Sequence, residues 1–368
     1  MRFPGFEGEW EEIKLADITE KVNSGKTPLG GESVYLSEGI VFIRSQNVNN
    51  DKLDLDNSVY ISEELNATMK NSIVNPKDIL LNITGASLGR SCVVPDDFEL
   101  GNVNQHVCII RLKENYNPRF IQPIFSSSKG QSIFESLQTG SGREGLNFDS
   151  IKKIKLKLPE VDEQLKIASF LSLLNKRIET QNKIIEELET LIKGLCQKLI
   201  LDQVPNKKIS DCVSCYSSLL SESNVIDNGN YPVYGATGII AFTENYQISE
   251  DAILIIKDGS GVGKVQYGAD KFSVIGTLNY LTAESEINLR YIFFCLKFFN
   301  FKKYKVGSGV PHIYFKDYGE AFIYCPSLEE QIKIENLLSS INEKIKIEKK
   351  LLQRYEIQKK YLLQDLFI

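Results

Sequence analysis

Several stretches of this 368-residue chain carry residue types that could do chemistry. Gly259-Ser260-Gly261-Val262-Gly263-Lys264-Val265 has the glycine content of a phosphate loop. That loop needs a glycine separated by four residues from Gly-Lys, with Ser or Thr directly after. Asp258 and Val265 occupy those two places, so a tight turn is expected instead. Asn75-Pro76-Lys77-Asp78 lacks the second proline and the aromatic ring of an adenine-methylating Asn-Pro-Pro-Tyr loop. Pro95-Asp96-Asp97-Phe98-Glu99 lacks the Glu-x-Lys end of a common nuclease motif and reads as a solvated acidic loop. His106 and His312 are the only histidines and stand at non-equivalent places, which argues against a metal or acid–base pair. Cys212 and Cys215 form a C-x-x-C pair, but a structural zinc site takes four ligands and no second pair stands at the right spacing. No catalytic, metal or cofactor constellation is expected.

Composition narrows the class. The chain is 42% hydrophobic and 25% charged, as ordinary globular proteins are. It has no apolar run of about 18 residues, so no membrane span is expected. MRFPGFEGEW at the start reads as neither a signal nor a transit peptide, and with seven scattered cysteines a reduced, cytoplasmic protein is expected. A net charge of −5 argues against non-specific coating of nucleic acid. Residues 1–150 hold 14 Lys and Arg against 21 Asp and Glu, a balance of −7.

The elements that must position any site are read from a repeat. Residues 140–200 and 307–367 align without a gap at an offset of 167, with 19 identities in 61 positions. Both stretches carry a narrow apolar stripe with alternating spacing of four and three, the signature of a coiled-coil seam. In the first it is Ile167, Leu171, Leu174, Ile178, Gln181, Ile185, Leu188, Ile192, Leu195 and Leu199. In the second it is Ile334, Leu338, Ile341, Ile345, Glu348, Leu352, Tyr355, Lys359, Leu362 and Leu366. Gln181 and Glu348 break the stripe at equivalent places and are expected to meet and fix register in an antiparallel pair. Pro159 and Pro326, followed by acidic residues, mark the helix starts. Upstream, Thr84–Arg90 resembles Asp258–Lys264, and strands and helices alternate in both halves. The expected architecture is mixed α/β (α+β). Two similar heads at 1–150 and 204–326 are joined by long helices at 151–203 and 327–368, antiparallel and with pseudo-two-fold symmetry. Two related but unequal heads on a rod suit an asymmetric two-part target, and DNA half-sites are such a target.

The chain resembles the specificity subunit of type I restriction–modification systems. The resemblance is carried by GFEGEWEEIKLADI, LPEVDEQLKIASFLSLLNKRI, YPVYGATGIIAF, GSGVPHIYF and PSLEEQIKIENLLSSINEKI, and it covers the whole chain. The Pro-x-x-x-Glu-Gln helix start, present twice, is its most specific part. It implies two target-recognition domains, each reading one half of a bipartite site in double-stranded DNA. It also implies helices that act as a ruler and dock two methyltransferase subunits, with restriction and translocase subunits joining them. The chain itself would be non-catalytic and need no cofactor. The competing readings are a coiled-coil adaptor with two protein-binding heads, and an enzyme fusing recognition to methyl transfer. The missing catalytic loops disfavour the latter.

Polar and cationic loop residues are the candidate DNA contacts, because Arg and Lys pair well with guanine and Asn and Gln with adenine. In the first half these are Lys26, Thr27, Arg44, Ser45, Gln46, Asn47, Ser87, Arg90, Asn104, Gln105, Ser141 and Arg143. In the second half they are Tyr234, Lys257, Ser260, Lys264, Asn279, Ser308 and His312. The −7 balance of the first half cannot supply much phosphate neutralisation, so weak DNA binding by the isolated chain is expected.

Overall fold

A computed structural model describes residues 3–49, 51–138, 145–307 and 309–367. The chain divides into two compact units, Met1–Gln181 with Leu351–Ile368, and Asn182–Lys350.

The first unit is built on an antiparallel sheet with strand order Thr19–Ser24, Val107–Leu112, Ile79–Asn82, Ser91–Val93. The strand Ile79–Asn82 is buried on both faces, which its unbroken Ile-Leu-Leu run foretells. Ile79 and Leu81 join one core with Cys108 and Ile110, while Leu80 joins a second core with Val107 and Ile109. That split is the period-two alternation of a strand. The helix Pro118–Ser126 covers the first core with Phe120, Ile121, Ile124 and Phe125. It starts at Pro118 because the Asn117 side chain accepts from the Arg119 N–H, a polar cap followed by proline. A second sheet, ordered Val59–Ile61, Ile40–Ile43, Gly101–Val103, Ile73–Val74, contains one parallel pair, Gly101 opposite Val41.

The second unit repeats this plan. Its main sheet runs Val213–Ser217, Leu278–Ala283, Ala252–Ile256, Val265–Gly268, again antiparallel throughout. Its second sheet runs Gly238–Thr243, Tyr231–Gly235, Ser273–Val274 and also has one parallel pair, Val233 opposite Ser273. The helix Leu289–Lys297 stands where Pro118–Ser126 stands in the first unit. The units differ most between two paired strands. In the second unit Ala236 and Thr237 alone join Tyr231–Gly235 to Gly238–Thr243. In the first, residues 44–58 intervene and form a hairpin of Val48–Asn49 with Lys52–Leu53.

Two long helices, Val161–Cys196 (36 residues) and Leu328–Leu366 (39 residues), carry the seam. At about 1.5 Å per residue they run on the order of 54 and 58 Å. Every seam residue named above is buried or half-buried, Gln181 and Glu348 among the buried ones. Within the first unit, Ile167, Ala168 and Leu171 share a core with Leu363, Leu366 and Phe367. Arg177 Nε donates to the Tyr355 hydroxyl at 2.8 Å, and its guanidinium lies 5.2 Å from the ring centre. Within the second unit, Ile192, Cys196 and Ile200 share a core with Ile334, Leu338 and Ile345. In each unit the start of one helix packs on the end of the other, so the segments run antiparallel. Glu348 is held by Lys344 at 2.6 Å.

The helix starts explain the repeated Pro-x-x-x-Glu-Gln pattern. Gln164 Nε2 donates to the Pro159 carbonyl and Gln331 Nε2 to the Pro326 carbonyl, both at 2.9 Å. Both glutamines are buried, and Gln331 Oε1 also accepts from the Asn288 N–H at 2.9 Å. Replacing Gln331 with Ala is expected to leave these polar groups unpaired and to cost about 1–3 kcal/mol, read as a lower denaturant midpoint. An unchanged midpoint would deny the motif this structural role.

Candidate nucleic-acid interface

The described candidate residues lie around the C-terminal ends of the two central strands, Ile79–Asn82 and Ala252–Ile256. Each strand runs into a turn of the same shape. Gly85 and Gly89 have φ of 71° and 85°, and Gly259 and Gly263 have 94° and 86°. Only glycine takes these left-handed angles without strain. At Gly263 a side chain would also meet Phe301 Cβ at 2.8 Å. The hydrogen bonds match one for one. Leu88 N donates to Gly85 O and Val262 N to Gly259 O. Arg90 N donates to Ser87 O and Lys264 N to Gly261 O. The glycine-rich stretch is therefore a tight turn, and it places an exposed cation, Arg90 or Lys264, at the same point in each unit.

One residue in each turn is tied to a neighbouring segment. Thr84 forms an antiparallel bridge with Gly145, and Asp258 forms one with His312. Gly145 and His312 are equivalent at the 167-residue offset. His312 Nδ1 lies 2.7 Å from Asp258 Oδ1. Gly145 has no side chain to offer, and here His106 approaches from another loop, with Nδ1 2.6 Å from Thr84 Oγ1. The two histidines are non-equivalent in sequence yet grip equivalent residues. Among the described residues no group of three His, Cys, Asp or Glu can hold a metal ion.

Around the first turn, Gln105 contacts Thr27 through their side-chain oxygens and His106 Nε2 at 3.0 Å through its amide nitrogen. Lys26, Thr27 and Gln105 are exposed. Gly25 lets the 26–27 segment lie against residue 103, where a side chain would strike Val103 O. Asn82 Nδ2 donates to Ser45 O at 2.8 Å, which brings residues 44–47 beside the turn. Arg44 and Ser45 are half-buried, Gln46 is exposed, and the Arg44 guanidinium lies 5.7 Å from the Tyr35 ring centre. Ser87 is half-buried within the turn, and Arg90 reaches Asn49 Oδ1 at 3.3 Å.

Around the second turn, Lys257 Nζ lies 3.5 Å from Ser217 Oγ, which donates to Asn279 Oδ1 at 2.7 Å. Ser260 and Lys264 are exposed. Tyr234 stands edge-on to the Phe272 ring, and burial pushes its hydroxyl pKa up. Val306 and His312 exchange backbone hydrogen bonds at 2.9 and 2.8 Å, and Gly259 N donates to Pro311 O.

Three candidates turn inward. Asn47, Asn104 and Asn279 are 3%, 8% and 6% exposed. Asn47 accepts from Arg44 N and donates to Asp54 O; Asn104 accepts from His106 N; Asn279 accepts from Ser217. The Asn47 and Asn104 side chains hold loops in shape, because buried loop backbone needs partners; Asn279, on the strand Leu278–Ala283, pairs with Ser217 of the adjacent strand, and none of the three faces solvent. Ser141, Arg143 and Ser308 lie outside the described residues. Thr84, Asp258, His106 and Ser217 were not among the candidates. The resemblance of Thr84–Arg90 to Asp258–Lys264 is the signal that points to the first two; nothing local marks the others. Of the Cys212/Cys215 pair, Cys212 is buried and Cys215 half-buried, and neither forms a disulfide.

Residues 7–190 and 207–356 match the family described as the type I restriction modification DNA specificity domain. The chain belongs to this family. A relative described as the putative type I restriction enzyme MjaX specificity subunit, from Methanocaldococcus jannaschii, is 21% identical over 393 residues, covering 96% of this chain and 92% of its own. The type I restriction enzyme EcoBI specificity subunit of Escherichia coli is 27% identical over 168 residues, 45% of this chain and 35% of its own. The crystal structure of the type I restriction–modification S subunit from M. genitalium shares the fold, with a TM-score of 0.72 at 17% identity over 100% of this chain and 99% of that one. Specificity subunits are the non-catalytic members of type I restriction–modification systems. No described helix of this one is long and apolar enough to cross a membrane.

Proposed function

We propose that this specificity subunit reads a two-part site in double-stranded DNA, one unit per half, and docks two methyltransferase subunits that restriction and translocase subunits join. The observation that carries the reading is the pair of matched turns. Strand order, glycine angles and hydrogen bonds agree, while the side chains offered from them differ: Thr84, Ser87 and Arg90 against Asp258, Ser260 and Lys264. A common scaffold with different polar surfaces suits two different base sequences. Docking of two copies of one partner is supported by the helix starts. Val161 and Leu165 are 53% and 51% exposed, and their equivalents Leu328 and Ile332 are both 41% exposed. Each pair is one turn apart and faces the same way from its helix, so the same apolar contact is offered twice.

Methylome sequencing of cells carrying the subunit with its methyltransferase tests the reading. A motif of two specified parts with a fixed unspecified spacer is expected. Absence of such a motif would refute it and favour the adaptor reading.

A further inference from the structure

Among the described residues, the first unit contains a polar anchor that the second lacks. Asp51 sits at the turn of the Val48–Asn49/Lys52–Leu53 hairpin with φ of 61°, an angle that costs a non-glycine residue energy. Its Oδ2 meets Lys359 Nζ at 2.9 Å, and its Oδ1 accepts from Gln122 Nε2 at 2.8 Å and from the Ser126 hydroxyl. Side-chain exposure is 19% for Asp51 and 21% for Lys359. Burial works to raise the Asp51 pKa, but Lys359, Ser126 and Gln122 together outweigh it and hold the carboxyl below its usual range. The hairpin thus joins three elements: the helix Pro118–Ser126, the last helix at Lys359, and, through Asn49 and Arg90, the candidate turn. The Arg44–Asn47 segment leads directly into it.

Among the described residues, the second unit has no such device at the matching place. The equivalent strands are joined by Ala236 and Thr237 alone, and the helix position equivalent to Lys359 is Ile192, buried in an apolar core. A seam lysine is costly unless paired, so its presence in one half of the repeat requires a partner there.

We infer that the Asp51–Lys359 pair is a specificity-positioning contact, which aims the 44–58 segment and the Arg90 turn of the first unit from the C-terminal helix. This rests on the proposed two-part reading. The consequence is asymmetric: losing the pair relaxes one half of the DNA site and leaves the other intact.

The test uses the complex with its methyltransferase, given DNA libraries randomised in each half-site, with methylation counted by sequencing. Asp51→Asn and Lys359→Met are each expected to raise methylation of mismatched sites at least tenfold in one half, the same half for both. Lys359→Arg is expected to keep wild-type discrimination, and Lys346→Met, which breaks the exposed pair with Glu343, to change nothing. Asp51→Asn is the milder change, because its amide oxygen still accepts from Gln122 and Ser126, and it carries the test if Lys359→Met does not fold. Relaxation of both halves alike, or of neither, overturns the inference. A wild-type complex with no two-part motif refutes the reading beneath it; a two-part motif whose variants keep both halves refutes only the anchor.

Discussion

Seven residues added to each long helix, after Asn182 and after Lys349, are expected to lengthen the spacer of the methylated motif by about three base pairs. Both insertion points lie within unbroken helix, at exposed and equivalent positions. Seven residues add about 10 Å at about 1.5 Å each, and a base pair rises about 3.4 Å. A heptad keeps the seam in phase, so buried positions on both sides of the insertion stay buried. Three base pairs also turn one half-site by about a third of a DNA turn. Methylation of the original motif should fall by about a hundredfold or more, the loss of two or more specified base pairs at roughly 1–3 kcal/mol each. Five-residue insertions are the control, because they rotate the seam by about 140° and should destabilise the protein. Continued methylation at the original spacing in the heptad variant would end the ruler idea.

This experiment relies on what the sequence displays most openly. A seam of period 3.5 that recurs at a constant offset can be found without structure, and its burial follows from geometry. The strands 79–82 and 252–256 are equally visible, since an apolar run between turn residues leaves few alternatives. The partners of particular residues are another matter. Lys359 is conspicuous as a charge on an apolar stripe, but Asp51 stands 308 residues away on a hairpin whose aim only tertiary packing sets. Asn47 and Asn104 look like exposed recognition residues, as short polar side chains in loops do. The same chemistry makes them the natural satisfiers of buried loop backbone, and a sequence does not tell these uses apart. The histidines mislead for a related reason. Their positions break the repeat, although their contacts restore it.

Those contacts set a sharper expectation for the second unit. His312→Ala should remove the side-chain tie between the segment carrying His312 and the turn at Asp258, and Asp258→Ala should do the same, because each removes one end of a single 2.7 Å contact while the backbone bond from Gly259 N to Pro311 O stays. Each is expected to lower discrimination in one half-site by about ten- to a hundredfold, the scale of 1–3 kcal/mol lost from a well-placed base contact. If the pair acts by holding the segment, the double variant should be no worse than either single one, the signature of shared rather than independent contributions. Additive losses would mean instead that both side chains touch DNA separately. Lys257→Met should add to either variant, because its ammonium reaches Ser217, which in turn donates to Asn279, rather than His312. In the first unit Thr84→Val removes the grip of His106 while keeping side-chain shape. Its effect should fall on the opposite half of the motif. If Thr84→Val and Asp258→Ala relax the same half, the two matched turns do not read separate parts of the site.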